Sequence, residues 1–504
     1  MNKCKRSSSF FHLSCNGLIT IKGIVSAIKL SSNPAENAYA ILSTNPIGAR
    51  CEMTLELGDT VEVKDSAIGS EVLRIGDIKV LGKASKAEYR KMLNDTLRSM
   101  GIKQKTSKAK AKAITQWMPE ELSKTTIPML NDIGKAAVVF SKAFVSGAPI
   151  VIRFHNDCDG SSGAISIYRA LRCVSPKTEG NIRWQMNKSV VYEPESAQSD
   201  LLVFNGYMST EKPLILIVDF GTTEESINAI NCVDGKCDLV WLDHHPPPEK
   251  FPKERITNYI NPWDYGGDSD YSAGFLGGVF AQELSGVDVK DLQLASLIGD
   301  FSRHADMKHE KAQRISTVLD FVTSNSTRTA SVYRIEKLTP RYMDALLDDN
   351  ERFDSFYRYA TNMMDDALEA GVRTAKHYKT KASPNGRELA INIYVMDFKH
   401  VRNEAGYPLP GRYSSKLQAK LELLSDGETM TVVHYGNYIS IRMTKGLAKE
   451  FPLHDIVKRL KESSEYVHSG GGHAAAGGIK IDEQHAKSVI KLLLREFGII
   501  DTNQ

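Results

Sequence analysis

APIVIRFHNDCDGSSGAISIYRALRCV, residues 148–174, places a short apolar run before a helical pattern, with the polar turn HNDCDG between them. The apolar run predicts a buried strand, and the small and amphipathic residues after the turn predict a helix. Two further apolar runs, PLILIVDF and CDLVWLDHH, follow along the chain. Buried strands that alternate with helices are typical of a parallel sheet, so we predict an α/β domain over residues 130–305.

Metal-capable side chains stand where these apolar segments end. They are His155, Asp157, Asp159, Asp219, Asp243, His244, His245 and, after LQLASLIG, Asp300. Because open α/β sheets bind ligands at the carboxyl ends of their strands, we expect these side chains to converge. Carboxylates packed without a cation repel one another, and oxygen and imidazole ligands suit Mn²⁺ or Mg²⁺. The pattern predicts a site for two divalent cations; for HNDCDG alone, a polar strand end with a helix cap is the alternative.

The residues before this domain divide into a strand-rich part and a basic helical part. Short β-type runs over residues 15–83, separated by turn-forming residues, predict a barrel of the OB type at residues 1–84, or another small β domain. Barrels of this kind often bind single-stranded nucleic acid. Residues 85–129 predict a basic helical connector, which either contacts nucleic acid or is a solvated linker.

The charge of the chain is unevenly distributed. Residues 1–115 hold 19 Lys and Arg against 10 Asp and Glu, although the whole chain carries a net charge of only +3. A basic arm beside an acidic body fits a protein that binds a phosphate polymer and holds metals on carboxylates. A charged soluble surface is the plain alternative.

The C-terminal third of the chain reads as a linker and a second α/β domain. Residues 306–382 are helical in composition throughout, and residues 383–504 return to strand and helix. The run GGGHAAAGG at residues 470–478 is rich in glycine, which lets a backbone approach a phosphate closely. A packed hairpin is the alternative for this run.

The motifs resemble, in order and spacing, those of a known superfamily. HNDCDG, the strand ending in Asp219, the triplet DHH at 243–245 and the GD of LIGD are similar to the four motifs of the DHH phosphoesterases. GGGHAAAGG is similar to the glycine-rich signature of their DHHA1 partner domain. The resemblance spans about residues 130–485 and is nearest to the RecJ-like single-strand nucleases of archaeal type. It implies a parallel-sheet DHH domain, a smaller α/β DHHA1 domain and an N-terminal OB-like barrel.

The resemblance also implies a role for each motif residue. Metal ligands would be His155 and Asp157 for one ion, Asp159, His244 and Asp300 for the other, Asp219 for both, and Asp243 as a ligand or an orienting neighbour. His245 would face the scissile phosphate. In the DHHA1-like domain, the residues implied to bind substrate phosphate are Arg442, Gly470, Gly471, Gly472 and His473.

Composition limits the remaining classes of function. No apolar run approaches the roughly 20 residues of a membrane helix, and seven scattered cysteines lack CxxC pairs, so a cytoplasmic protein without membrane contacts is expected. An exonuclease on single-stranded DNA or RNA, with replication or repair proteins as candidate partners, is the first interpretation. A phosphodiesterase for short oligonucleotides or cyclic dinucleotides is the second, and a replisome-associated scaffold is the third.

Overall fold

The computed structural model describes residues 20–31, 37–43, 47–51, 53–64, 72–74, 77–102, 106–174, 181–325, 338–382, 388–401 and 407–499. Residues 1–19 of the predicted barrel lie outside the described residues. The chain divides into two compact units, Met1–Leu319 with Lys337–Asn350, and Asp320–Glu336 with Glu351–Gln504.

Seven strands of the first unit form one curled, largely antiparallel sheet. They are β1 (Thr20–Lys29), β2 (Ala38–Leu42), β3 (Ile47–Cys51), β4 (Asp59–Lys64), β5 (Val72–Leu73), β6 (Ile78–Lys83) and, from much later in the chain, β9 (Tyr207–Ser209). The order is β5-β3-β2-β1-β4-β6, and β9 also pairs with β1. Alternate apolar side chains, such as Val61 and Val63, fill a small core on one face. The sheet is a half-barrel that agrees with the predicted OB-like fold.

Strand β9 attaches this half-barrel to the rest of the first unit. The backbone N–H of Leu30 donates to Gly206 O, and that of Thr210 donates to Ser26 O, both at 2.9 Å. The Thr210 hydroxyl also donates to the Tyr89 hydroxyl at 2.7 Å. The half-barrel is therefore held both by the segment that follows it and by hydrogen bonds to residues 206–210, which lie far away in the sequence. No pattern in the sequence indicates β9.

Three helices follow the half-barrel along the basic part of the chain. They are α1 (Lys86–Ser99), α2 (Lys108–Thr115) and α3 (Glu120–Ser146). Helix α1 begins with a capping box, in which Ser85 and Glu88 satisfy each other's backbone N–H groups. The Thr96 hydroxyl donates to Ser43 O at 2.8 Å, which joins α1 to the half-barrel.

Five parallel strands form the central sheet of the first unit. They are β7 (Ile150–His155), β8 (Ile182–Asn187), β10 (Leu214–Val218), β11 (Asp238–Leu242) and β12 (Asn258–Ile260). The order is β12-β11-β10-β7-β8, and every pair is parallel. The chain changes direction across the sheet between β7 and β10, the place where doubly wound sheets open a ligand crevice. The sequence predicted β7, β10 and β11 but not the two edge strands, which are short or polar.

Helices cover both faces of the parallel sheet and extend beyond it. They are α4 (Cys158–Val174), α5 (Pro194–Phe204), α6 (Ile227–Val233), α7 (Ala273–Ser285), α8 (Lys290–Gly299), α9 (Glu310–Asn325) and α10 (Pro340–Asp348). One core cluster packs Ile215, Ile217 and Trp241 against α5 and α6. Helices α4 and α7 meet so closely that a Cβ on Gly277 would lie 2.7 Å from Gly163 Cα. This contact brings the beginning of α7 to the end of β7.

The second unit contains most of α11 (Asn350–Thr374) and a six-stranded mixed sheet. The strands are β13 (Lys376–Ala382), β14 (Leu389–Asp397), β15 (Glu428–Tyr435), β16 (Tyr438–Met443), β17 (Val467–His473) and β18 (Ala476–Ile481), in the order β13-β14-β15-β16-β18-β17. The helices that pack on it are α12 (Pro410–Leu424), α13 (Lys445–Glu450), α14 (Leu453–Ser463) and α15 (Ala486–Arg495). The smaller α/β domain predicted from the sequence is thus present.

One prediction of secondary structure was wrong in this region. The composition of residues 306–382 predicts helix throughout, but residues 376–382 form the edge strand β13. Its lysines and exposed polar residues alternate with partly buried Tyr378, Thr380 and Ala382, a period of two that fits a strand. Antiparallel pairing with β14 holds these residues as a strand, although their composition alone does not predict one. None of the described helices has the length and apolarity needed to cross a bilayer.

Candidate metal centre

The carboxyl ends of β7, β10 and β11 bring most of the predicted ligands together. Three groups have ligand atoms all within 4.8 Å of one another, and two of them correspond to the predicted ion sites: His155, Asp157 and Asp219, and Asp159, His244 and Asp300. We call them the outer triad and the inner triad, respectively. Asp300 reaches the inner triad from the C-cap of helix α8, not from a strand.

The outer triad is partly open to solvent. His155 Nδ1 donates to Asp157 Oδ2 at 2.9 Å and lies 3.7 Å from Asp219 Oδ2. The side chains of His155 and Asp157 keep 18% and 23% of their exposure. Gly160 permits the tight turn, because a Cβ there would lie 2.6 Å from the backbone nitrogen of His155. The outer triad is therefore accessible to a solvated ion or a substrate.

The inner triad is centred on His244. Its Nε2 atom lies 3.3 Å from Asp300 Oδ2 and 3.6 Å from Asp159 Oδ2. It also lies 3.4 Å from Asp219 Oδ1. The two oxygens of Asp219 thus face different triads, Oδ1 towards the inner triad and Oδ2 towards the outer.

Asp219 is held in a conformation that only a ligand role readily explains. Its φ is +70°, in the left-handed region that residues other than glycine rarely occupy. Its Oδ2 atom is buried and has no hydrogen-bond partner among the described residues. Burial raises the pKa of Asp219 well above its usual range, and the carboxylates of Asp159 and Asp157 raise it further. A divalent cation between the triads would satisfy this oxygen and offset the repulsion, so the residues fit such an ion.

Asp159 is fixed by the beginning of α7. Its Oδ1 accepts from the Gly274 N–H at 2.7 Å, and its Oδ2 accepts from the Ala273 N–H at 2.9 Å. The Ser296 hydroxyl, on α8, also donates to Oδ1. N–H groups at a helix N-terminus have no partner within the helix and favour a negative charge, so the scaffold itself positions this buried carboxylate.

His244 is fixed by the loop between β12 and α7. Its Nδ1 donates to Ser269 O at 2.6 Å, which leaves Nε2 directed at the inner triad. The residues on either side of Ser269, Asp268 and Asp270, both pair with the guanidinium of Arg303. Arg303 thereby holds the carbonyl that orients His244, an arrangement typical of the layer around metal ligands.

Asp243 contacts protein groups through both of its oxygens. Oδ2 accepts from the Thr222 hydroxyl at 2.5 Å, and Oδ1 accepts from His245 Nδ1 at 2.7 Å. Burial alone would raise the pKa of Asp243, but His245, His244 and Thr222 outweigh it and hold the pKa well below its usual range. Asp243 also belongs to a possible ligand group with Asp219, His244 and His245. Its hydrogen bonds favour the orienting role among the two that the sequence left open.

The imidazoles of His244 and His155 lie among an excess of negatively charged groups. Burial lowers the pKa of His244, but Asp300, Asp219 and Asp159 outweigh it and raise the pKa well above its usual range. The same balance raises the pKa of His155, through Asp157 and Asp219. A site that attracts protons this strongly also attracts divalent cations, which compete for the same lone pairs.

The candidates of the second unit lie on its own sheet. Arg442, on β16, donates from Nε to Ser415 Oγ at 2.9 Å and from Nη1 to Ile441 O at 2.8 Å. Burial lowers its pKa to about 10. The glycine run forms the hairpin of β17 and β18, with Gly470, Gly471 and Gly472 on β17 ahead of His473. The packed-hairpin alternative is thus also the observed backbone, and phosphate binding there stays a prediction.

Several residues that shape the centre were not predicted. They are Thr222, Trp263, Ser269, Gly274, Ser296 and Arg303. A sequence signal for some of them exists in residues 261–274, NPWDYGGDSDYSAG. Many turn-forming residues precede a helix there, which indicates a loop near the sheet edge. His304, which follows Asp300 closely but is not a predicted ligand, packs against the Tyr271 ring, with centroids 4.8 Å apart.

Comparison with known proteins identifies the family of the segment that carries every triad residue except Asp300. Residues 149–276 match the family described as the DHH family, N-terminal domain. MJ1198, an uncharacterized protein of Methanocaldococcus jannaschii, is 25% identical over 88% of this chain. The chain spans 63% of the length of that relative.

Solved structures share the fold. The DHH domain of PF0399, described as a member of the S1p family of ribosomal proteins, gives a TM-score of 0.62 at 22% identity, covering 82% of this chain and 99% of that one. RecJ from Thermus thermophilus, in complex with Mn²⁺, gives 0.47 at 14% identity, covering 79% and 62%. The family match at residues 149–276 confirms the DHH part of the resemblance inferred from the motifs, and the PF0399 domain shows the same fold.

Proposed function

We propose that this chain, whose residues 149–276 form a DHH-family domain, hydrolyses phosphodiester bonds in single-stranded DNA or RNA with two divalent cations, Mn²⁺ or Mg²⁺. One observation supports this most directly: two triads of metal-capable groups are bordered by the two oxygens of a single carboxylate, Asp219. Two-metal hydrolases need such a shared ligand between neighbouring ions.

The proposed ligands follow the two triads. His155 and Asp157 would hold the first ion, and Asp159, His244 and Asp300 would hold the second. Asp219 would contribute to both sites. We assign Asp243 the role of orienting His245, since its oxygens accept hydrogen bonds from Thr222 and His245.

When bound, the two ions would act as Lewis acids and lower the pKa of a bound water to near neutral. The protein's own contribution is position and charge. His245 bonds Asp243 through Nδ1, which directs Nε2 away from it, and 41% of its side chain is exposed. We assign His245 the role of donor to the charge that develops on the phosphate oxygens.

The preference for a polymer rests on the basic N-terminal region and the half-barrel. Residues 1–115 carry 19 basic against 10 acidic side chains. Lysines and arginines on this scale bind the backbone of a nucleic acid in a salt-dependent manner.

We further propose that Arg442, Gly470, Gly471, Gly472 and His473 bind substrate phosphate in the second unit. The protein would act in the cytoplasm as an exonuclease in DNA repair or replication.

The test is a time course with Mn²⁺ or Mg²⁺ on single-stranded DNA and RNA labelled at either end, beside Asp219→Asn. Ladders that shorten from one end, absent in the variant, support exonuclease action and give its direction. Equal rates of hydrolysis for the variant and the parent would contradict the proposed metal centre. Hydrolysis confined to dinucleotides, with no salt-dependent binding of longer strands, would indicate a small-substrate phosphodiesterase instead.

A further inference from the structure

Two large aromatic side chains are exposed beside the candidate metal centre. Trp263 keeps 43% of its exposure and Phe301 keeps 50%. Phe301 directly follows the inner-triad residue Asp300, and Trp263 is hydrogen-bonded to the backbone of His244. Exposed apolar residues are ordinary when scattered, but two that are each tied to a ligand of one triad call for an explanation.

Trp263 is a fixed surface and not a loose side chain. Its indole N–H lies 3.2 Å from His244 O and 3.3 Å from Ser269 Oγ, so the nitrogen-bearing edge is anchored. Its backbone N–H donates to Asn261 Oδ1 at 3.1 Å. Asn261 Nδ2 in turn donates to His245 O at 2.9 Å. The exposed part of the ring is therefore held in place by the backbone of both centre histidines, and binding to it loses little conformational freedom.

Phe301 occupies a position that favours glycine. Its φ is +53°, in the left-handed region, just after the end of α8. Glycine is the usual residue where a helix ends in this conformation, because a side chain with a Cβ is strained there. This chain instead carries a bulky ring in a strained backbone and leaves half of it in water. Strain of this kind concentrates at functional sites.

We propose that Trp263 and Phe301 stack against nucleobases next to the phosphate held at the two triads. Every base offers a flat π face, and stacking on aromatic side chains tolerates any sequence. The proposal rests on the proposed function and adds how the substrate is recognised: the centre binds the bases as well as the phosphate, whereas pyrophosphate and sugar phosphates offer no such face. It also accounts for an aromatic surface on the DHH domain itself, separate from the half-barrel.

The first test measures binding without hydrolysis. The full chain, in Ca²⁺ or without metal, is titrated with a thymidine tetranucleotide and with its analogue built from abasic tetrahydrofuran units. Of the four tryptophans, Trp241 is fully buried and Trp117 and Trp184 are partly buried. Base stacking on Trp263 should quench emission with the thymidine ligand only. Trp263→Phe should remove that quenching and Trp184→Phe should keep it. Equal quenching by both ligands, or quenching that survives Trp263→Phe, overturns the proposal.

The second test separates stacking from a structural role. The measured quantity is the ratio of kcat/KM for the thymidine oligomer to that for the abasic oligomer. Trp263→Ala and Phe301→Ala should each lower this ratio roughly ten-fold, mainly through KM for the thymidine oligomer. Damage to the loop that holds His244 would slow both substrates equally and leave the ratio unchanged, which counts against the proposal.

Phe301→Asn provides a further check, because asparagine tolerates the left-handed region. This variant should lower the base preference without lowering the unfolding temperature. A marked fall in that temperature would mean that Phe301 serves packing, against the proposal. If the parent hydrolyses neither oligomer, the proposed function fails; if it hydrolyses both at equal rates, only the stacking inference fails.

Discussion

Asp157 and Asp159 lie two residues apart in the chain but in different surroundings. Asp157 belongs to the outer triad, keeps 23% of its side-chain exposure and pairs with His155. Asp159 belongs to the inner triad, is fully buried and accepts from two backbone N–H groups of α7. The two carboxylates therefore differ most in burial: Asp157 lies near the surface and accepts one backbone N–H, from Gly160 at 3.0 Å, whereas Asp159 is enclosed and accepts two from α7.

The difference indicates that the two triads have different roles. A carboxylate fixed by a helix N-terminus keeps its geometry whether or not an ion is bound. Asp157, which is partly exposed and pairs with His155, can adjust when an ion or a phosphate arrives. We expect the inner triad to be preorganised and the outer triad to be the side from which substrate enters.

The largest effect is expected at the residue between the triads. Asp219→Asn removes the shared charge and should reduce hydrolysis by about 1,000-fold or more. The metal-free variant should unfold at the parent's temperature or higher, because a buried carboxylate repelled by Asp159 and Asp157 is gone. Thermal unfolding with Mn²⁺ and with a chelator checks this, since the ion-induced rise in the parent should vanish in the variant. A variant that Mn²⁺ still stabilises as much as the parent would contradict the shared-ligand role.

The next effect compares the two triads directly. Asp157→Asn and Asp159→Asn should both lose most activity, by roughly 100-fold, because each loses a ligand charge. Only Asp159→Asn should also destabilise the metal-free protein, by about 1–3 kcal/mol, since its single amide oxygen can accept only one of the two α7 N–H groups and the other is left facing an NH₂ group. Thermal unfolding of both metal-free variants is the measurement. Equal losses of stability would remove the distinction between the triads.

A smaller effect is expected one step away from the ligands. Arg303→Gln frees Asp268 and Asp270 and loosens the Ser269 carbonyl that orients His244. Mn²⁺ affinity should fall about ten-fold, with little loss of stability because the guanidinium is a third exposed. Calorimetric titration with Mn²⁺ measures it, and Arg255→Gln, an exposed arginine of the same unit, is the control. If both variants bind Mn²⁺ as the parent does, Arg303 does not position His244.

The smallest effect concerns Asp243. Thr222→Val keeps the side-chain shape but removes the hydroxyl that donates to Asp243 Oδ2. Because the Thr222 N–H still donates to the same oxygen at 3.2 Å, kcat should fall by less than about ten-fold. Metal affinity should be unchanged if Asp243 only orients His245. A loss of Mn²⁺ affinity as large as that of Asp157→Asn would instead make Asp243 a ligand.

The amino-acid sequence was sufficient for the sheet and for the identity of the candidate ligands. Apolar runs that end in Asp or His are a local pattern, and the rule that parallel strands share a carboxyl edge brings those ends together. The glycine run and the second α/β domain were also readable from composition and motif. The edge strands β8 and β13 were missed because they are rich in polar residues and lack the apolar runs by which the inner strands were recognised.

Tertiary structure alone decided how the ligands are shared out and what supports them. The inner triad joins residues from α4, the end of β11 and the end of α8 that lie far apart in the chain, and no local period encodes such a distance. The hydrogen bonds from α7 to Asp159 and from His244 to Ser269 exist because α4 packs closely on α7 and the loop before α7 is held by Arg303. The pairing of β9 with β1 is likewise a product of packing. Sequence determines which groups can bind a cation, whereas long-range packing sets their positions and the solvent exposure of each.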